Sequence, residues 1–151
     1  MANTVFGLKG TIATKSAVQS VASSATAAIV TFDLETYDTS GDTEAVKFHS
    51  ITTNTGRFYA VEDGFYELSA PVKFAAIAAA GRVALGYSID AGADVETVEQ
   101  VTSATSSTPG LFMKKYLKLS AGQYVTLKAL QTSGGAIDIV VAGTEAVFKK
   151  M

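Results

Sequence analysis

The chain has 151 residues, 48% hydrophobic and 17% charged, with no cysteine; that is the length of one domain, and at about 150 residues a domain buries enough surface to hold together without a disulfide or metal staple. The cysteine count excludes a disulfide framework, a Cys-based zinc site and thiol chemistry, and 12 Lys+Arg against 14 Asp+Glu leave no basic excess to neutralise a phosphate backbone. High apolar content with a net charge of -2 excludes disorder, while a mean hydropathy of +0.26 predicts that part of the surface is covered by another copy or another protein.

The first residues, Met1 to Phe6, lack the charged and apolar regions of a signal peptide, and no stretch approaches the roughly 18 apolar residues of a membrane helix. Asn3 and Asn54 both lack Ser or Thr in the third tripeptide position, so neither is a glycosylation acceptor. Together with the missing Cys, this argues against an animal extracellular protein.

Residues 15–29 place Val18, Val21, Ala25 and Ala28 at helical spacing, but the Ser and Thr between them favour an extended connection. Val30, Phe32 and Leu34 alternate with polar residues as a half-buried strand, and 38–42 form a polar loop. After a turn at 62–64, Tyr66, Leu68, Ala70, Val72, Phe74 and Ala76 line one face of a long strand; Pro71 on the other face predicts an edge or a bulge. Val83, Leu85, Tyr87 and Ile89 alternate again, up to a turn at 90–92. Residues 95–101 are ambiguous, and 102–110 are a Ser/Thr-rich loop containing Pro109. Leu117 and Leu119, the turn 120–122, and Val125, Leu127 and Ala129 read as a hairpin. Ile137, Ile139 and Val141 follow a turn at 133–135. Short strands at intervals of about ten residues predict an antiparallel sandwich or jelly roll.

Thr55-Gly56-Arg57-Phe58 and Gly64-Phe65-Tyr66 combine as T-G-x-F-x5-G-x-Y. This resembles the signature of the globular heads of the complement q-subcomponent and tumour-necrosis-factor superfamily. Around it, Phe6 matches an early aromatic strand position, Ile29 to Asp33 a second strand, Leu117 to Leu127 an L-x-L-x-x-G-x-x-V-x-L segment, and Val141 to Phe148 a final strand. The resemblance covers about residues 4 to 149, so 1–151 is read as a single TNF-like domain. It implies an all-β jelly roll of about ten strands that forms a homotrimer. In this scheme Gly56 and Gly64 provide positive φ at two turns, and Phe58 and Tyr66 pair across facing strands. With no stalk, signal peptide or anchor preceding the head, the sequence looks more like the stand-alone trimeric jelly rolls of bacteriophage virions.

Residues with chemical capacity are few. The one histidine, His49, would have to serve any serine triad, and no G-x-S-x-G elbow, Walker loop or G-x-G-x-x-G is present, so the expectation is no enzyme and a structural histidine. Asp38, Asp42 and Glu44, and Asp90, Asp94 and Glu96, cluster in loops without the calcium-loop spacing and read as solvated acids, with neither metal nor cofactor expected. Lys114, Lys115, Lys118, Lys149 and Lys150 read as solubilising or edge-protecting charges. Phe65, Phe112, Tyr116 and Phe148 are expected to point out of the monomer core and form the subunit interface, aromatics being enriched there.

The functional expectation is a trimeric virion-surface protein, as capsid decoration, cement, fibre tip or knob, held by a capsid or fibre protein. The alternative is a carbohydrate- or receptor-binding module using loops 102–110 and 131–135. A far-UV circular dichroism spectrum of sheet type, without a dominant helical signal, is the expected outcome.

Overall fold

A computed structural model describes residues 9–39, 47–77, 79–102 and 108–151. Phe6, Asp42, Glu44 and most of the 102–110 loop lie outside the described residues.

Twelve strands and no helix form among the described residues: β1 (Gly10–Thr14), β2 (Gln19–Val21), β3 (Ala28–Ile29), β4 (Leu34–Asp38), β5 (Arg57–Tyr59), β6 (Gly64–Lys73), β7 (Gly81–Ile89), β8 (Val95–Thr102), β9 (Gly110–Leu119), β10 (Tyr124–Gln131), β11 (Ile137–Ile139) and β12 (Glu145–Lys150). One sheet runs β4-β1-β12-β6-β9; the other runs β3-β10-β7-β8, with β5 beside β10, and β11 pairs with β2. Every pairing is antiparallel. The fold is therefore an antiparallel jelly-roll sandwich. Residues 15–29, where a helical period competed, supply β2 and β3.

Alternation selects the inner faces. On β6, Tyr66, Leu68, Ala70 and Val72 are buried, and on β9 so are Leu111, Met113, Leu117 and Leu119; from the other sheet come Val83, Leu85, Val125, Leu127 and Ala129. The expected inward face of β6 continues through Phe74 but ends before Ala76, which is exposed; Ile77 turns in instead. Leu34, placed on an inner face by alternation, is 45% exposed: residues 30–33 belong to no strand, so the phase breaks before β4 begins.

The segment 117–129 is not a hairpin. β9 pairs with β6 and β10 pairs with β7, so the turn at 120–122 carries the chain from one sheet to the other. Alternation and turn residues look alike whether two strands lie side by side or face each other across the core. The 90–92 turn, by contrast, does join paired neighbours, β7 and β8, through Asp90 and Ala91 at φ 50° and 58°.

Pro71 also finds a different setting, because β6 lies between β12 and β9 and is not an edge strand. The β12 ladder ends at Ser69, however, whereas β9 continues to Lys73. Two residues on, the Lys73 N–H donates to the Thr144 hydroxyl rather than to a β12 carbonyl, at 3.0 Å. By the alternation of N–H directions, Pro71 lacks its donor on the side where the ladder has already stopped.

At the centre of the core is Phe148, fully buried. This corrects the expectation that it faces outward: on β12, Ala146 and Phe148 face in while Glu145, Val147 and Lys149 are half-buried on the other side. Its ring stacks on Tyr66 at 5.0 Å between centroids, 8° from parallel, and lies 5.8 Å from Phe58 and 6.3 Å from Phe48. Phe58 and Tyr66 are thus both buried, as expected, with Phe148 bridging them. The buried Tyr66 hydroxyl donates to the Glu62 carbonyl at 2.7 Å, so its polar end is satisfied.

Of the two motif glycines, only Gly64 takes the expected positive φ. At Gly56 a Cβ would run into Ile29 Cγ2 and come within 3.1 Å of the Val30 carbonyl, so space decides the residue. Gly64, at φ 159°, holds a backbone conformation that L side chains rarely adopt, and a Cβ there would also meet the end of Lys150.

Replacing Tyr66 by Ala is expected to cost on the order of 3–5 kcal/mol, because the lost transfer energy and the cavity left against Phe148 add. Urea denaturation of the two proteins measures it.

Candidate assembly surface

β6 and β9 are paired along their full lengths, and their outward positions form one continuous face of the five-stranded sheet. Phe65, Phe112 and Tyr116 stand on it, 59%, 58% and 58% exposed. Register spreads them: Phe65 is opposite Lys118, Tyr116 opposite Glu67, and Phe112 opposite Pro71. A monomer gains nothing from rings so exposed; apolar surface of this kind is stabilising only when another surface covers it.

Between the aromatics lies a carboxylate. Glu67 is 5% exposed and accepts from Lys114 of β9 at 3.0 Å and Lys149 of β12 at 3.2 Å. Burial pushes its carboxyl up, but the hydrogen bonds from the two lysines outweigh burial and hold it below the usual carboxylate range. Lys114 is raised by its bond to Glu67 and then by Tyr116, over whose ring its ammonium lies 5.5 Å from the centroid. The sequence reading missed Glu67. Its parity matches that of Phe65, but the register that sets it between two lysines of distant segments cannot be read from either segment alone.

The remaining candidates are occupied within the fold. His49 is fully buried; its Nε2 donates to the Thr55 carbonyl at 3.0 Å, its Nδ1 faces Glu35 Oε1 at 3.2 Å, and its ring stacks on Phe58 at 5.0 Å. It is a strut, with no face open to a substrate. The second acidic loop does not converge: Asp90 accepts from the Tyr124 N–H and the Gln123 amide, Asp94 pairs with Lys128, and Glu96 pairs with Arg82. Among the described residues no three metal-capable side chains come together. In the 131–135 loop, Gln131 is buried and its amide donates to the Val21 and Gly135 carbonyls, so its polar atoms hold the turn. β9 is an edge strand, and Lys114 and Lys118 lie exposed along it.

One constellation was not singled out in the sequence. On β5 and β10, Tyr59 and Tyr124 pack at 5.7 Å, with the Arg57 guanidinium 4.3 Å over the Tyr124 ring.

No protein-family model matches the sequence, and no curated protein matches it. Solved structures do resemble the fold. The globular domain of zebrafish complement 1qA matches with a TM-score of 0.63 at 13% identity, over 96% of this chain and 98% of that one. Murine APRIL matches with 0.62 at 13% identity, over 96% and 100%. Eiger TNF from S. frugiperda matches with 0.58 at 13% identity, over 95% and 92%. At such identity the likeness shows the fold, a TNF- and C1q-type jelly roll.

Replacing His49 by Leu should keep the ring-sized volume but strip the donor from the Thr55 carbonyl and the partner from Glu35, at a cost of about 1–3 kcal/mol. Chemical denaturation reads this loss directly.

Proposed function

We propose that the chain is a structural module that works by self-assembly, three copies closing around one axis with the outer faces of their five-stranded sheets turned inward. The observation that carries the reading is the set of three exposed aromatics, Phe65, Phe112 and Tyr116, on one face of two adjoining strands. A closed ring covers that face without leaving a free copy of it, whereas an open head-to-tail contact would propagate. We place the trimer on the surface of a bacteriophage particle, assembled in the host cytoplasm, as capsid decoration, cement, fibre tip or knob, anchored by a capsid or fibre protein. This role needs no catalytic group, metal, nucleotide or nucleic acid.

A second reading, a carbohydrate- or receptor-binding module, is favoured by the Tyr59–Tyr124 pair with Arg57 beside it, because aromatic faces flanked by polar groups suit sugar rings. Binding on a glycan array that is lost in Tyr124→Ala would select it.

Light scattering at micromolar concentration should give three times 15.6 kDa. Phe65→Lys should give a folded monomer, since the contact would otherwise bury an ammonium whose cross-strand neighbour, Lys118, is also cationic. A wild-type monomer would remove the assembly reading, and immunogold labelling of phage particles tests the virion placement.

A further inference from the structure

The outer face of the five-stranded sheet is apolar at Phe65, Phe112 and Tyr116 but charged at its middle. Around Glu67, β9 contributes Lys114 and Tyr116, and β12 contributes Lys149; Phe65 and Ser69 are its same-side neighbours on β6. The cluster is two ammoniums on one carboxylate, and no second acid among the described residues is paired with either lysine. Lys9 and Lys150 are engaged elsewhere, on the exposed Glu62. In the free chain, the Lys114 and Lys149 side chains keep 43% and 27% of their surface, so solvent still shares their charge. When another copy covers the face, that share is lost and Glu67 becomes the main counter-charge.

We propose that Glu67 is an acid-sensitive lock of the assembly, its carboxylate permitting the copies to close and its protonation releasing them. This rests on the self-assembly reading. The sign follows from the ion pairs: a carboxyl held below its usual range by two lysines contributes stability at neutral pH and loses it as pH falls through that lowered value. Protonated, Glu67 no longer neutralises either lysine, and two like charges on the covered face of each copy oppose closure.

The test is light scattering with circular dichroism at about pH 7 and about pH 2, the acid end set well below the ordinary carboxylate range because Glu67 is held below it. The wild type should be assembled at the first and a folded monomer at the second, reversibly. Glu67→Gln should be weakened at least tenfold in assembly at neutral pH, with little further change in acid. The triple variant Glu67→Leu, Lys114→Met, Lys149→Met should stay assembled at both. A wild type monomeric at neutral pH overturns the assembly reading itself. A wild type that stays assembled and folded in acid, or a Glu67→Gln protein that dissociates in acid as the wild type does, overturns the lock alone.

Discussion

The packing of Phe148 against Tyr66 is the contact on which the rest of the molecule depends. It joins β12 to β6 within one sheet, and through Phe58 it joins that sheet to β5 and β10 of the other. His49 then stacks on Phe58 from the far side, so one run of rings crosses the sandwich. Because interiors pack at crystal-like density, these rings fix the spacing of the two sheets more tightly than strand pairing alone could. Parity does the rest: with Tyr66 and Phe148 turned in, Phe65, Glu67 and Lys149 on the same strands must turn out.

That link explains how far the sequence could be read. Alternation over 66–74, 83–89, 117–119 and 125–129 identifies the core, because period two is a local property of a strand. The outward positions of Phe65, Phe112 and Tyr116 follow by the same rule. Phe148 is the instructive failure: charged residues stand on both parities of β12, Glu145 and Lys149 opposite to Phe148 and Lys150 on its own side, so charge does not tell which face is inner.

What alternation cannot supply is which strand lies beside which. The 120–122 turn has hairpin residues yet crosses between sheets, and Pro71 occupies an interior strand at the point where its ladder has stopped. Glu67 belongs to the same category, since its two lysines come from β9 and β12 and only register brings them within reach. Gly56 fails differently. A glycine in a turn suggests backbone freedom, but here the constraint is the side chain of Ile29, which only tertiary packing brings against Gly56.

The insertion of β12 between β1 and β6 has a consequence for the order of events during synthesis. Gly10 pairs with Lys149 and Tyr66 with Lys150, so neither β1 nor β6 can complete its ladder until residues 145–150 have left the ribosome. Until then the nascent chain holds the five-stranded sheet as two separate pieces with unpaired inner edges and no Phe148 between the sheets. Contacts this distant in sequence make for slow folding, on the order of milliseconds to seconds for all-β topologies. Closure of the core therefore waits on β12, whose residues are the last of the twelve strands to be made.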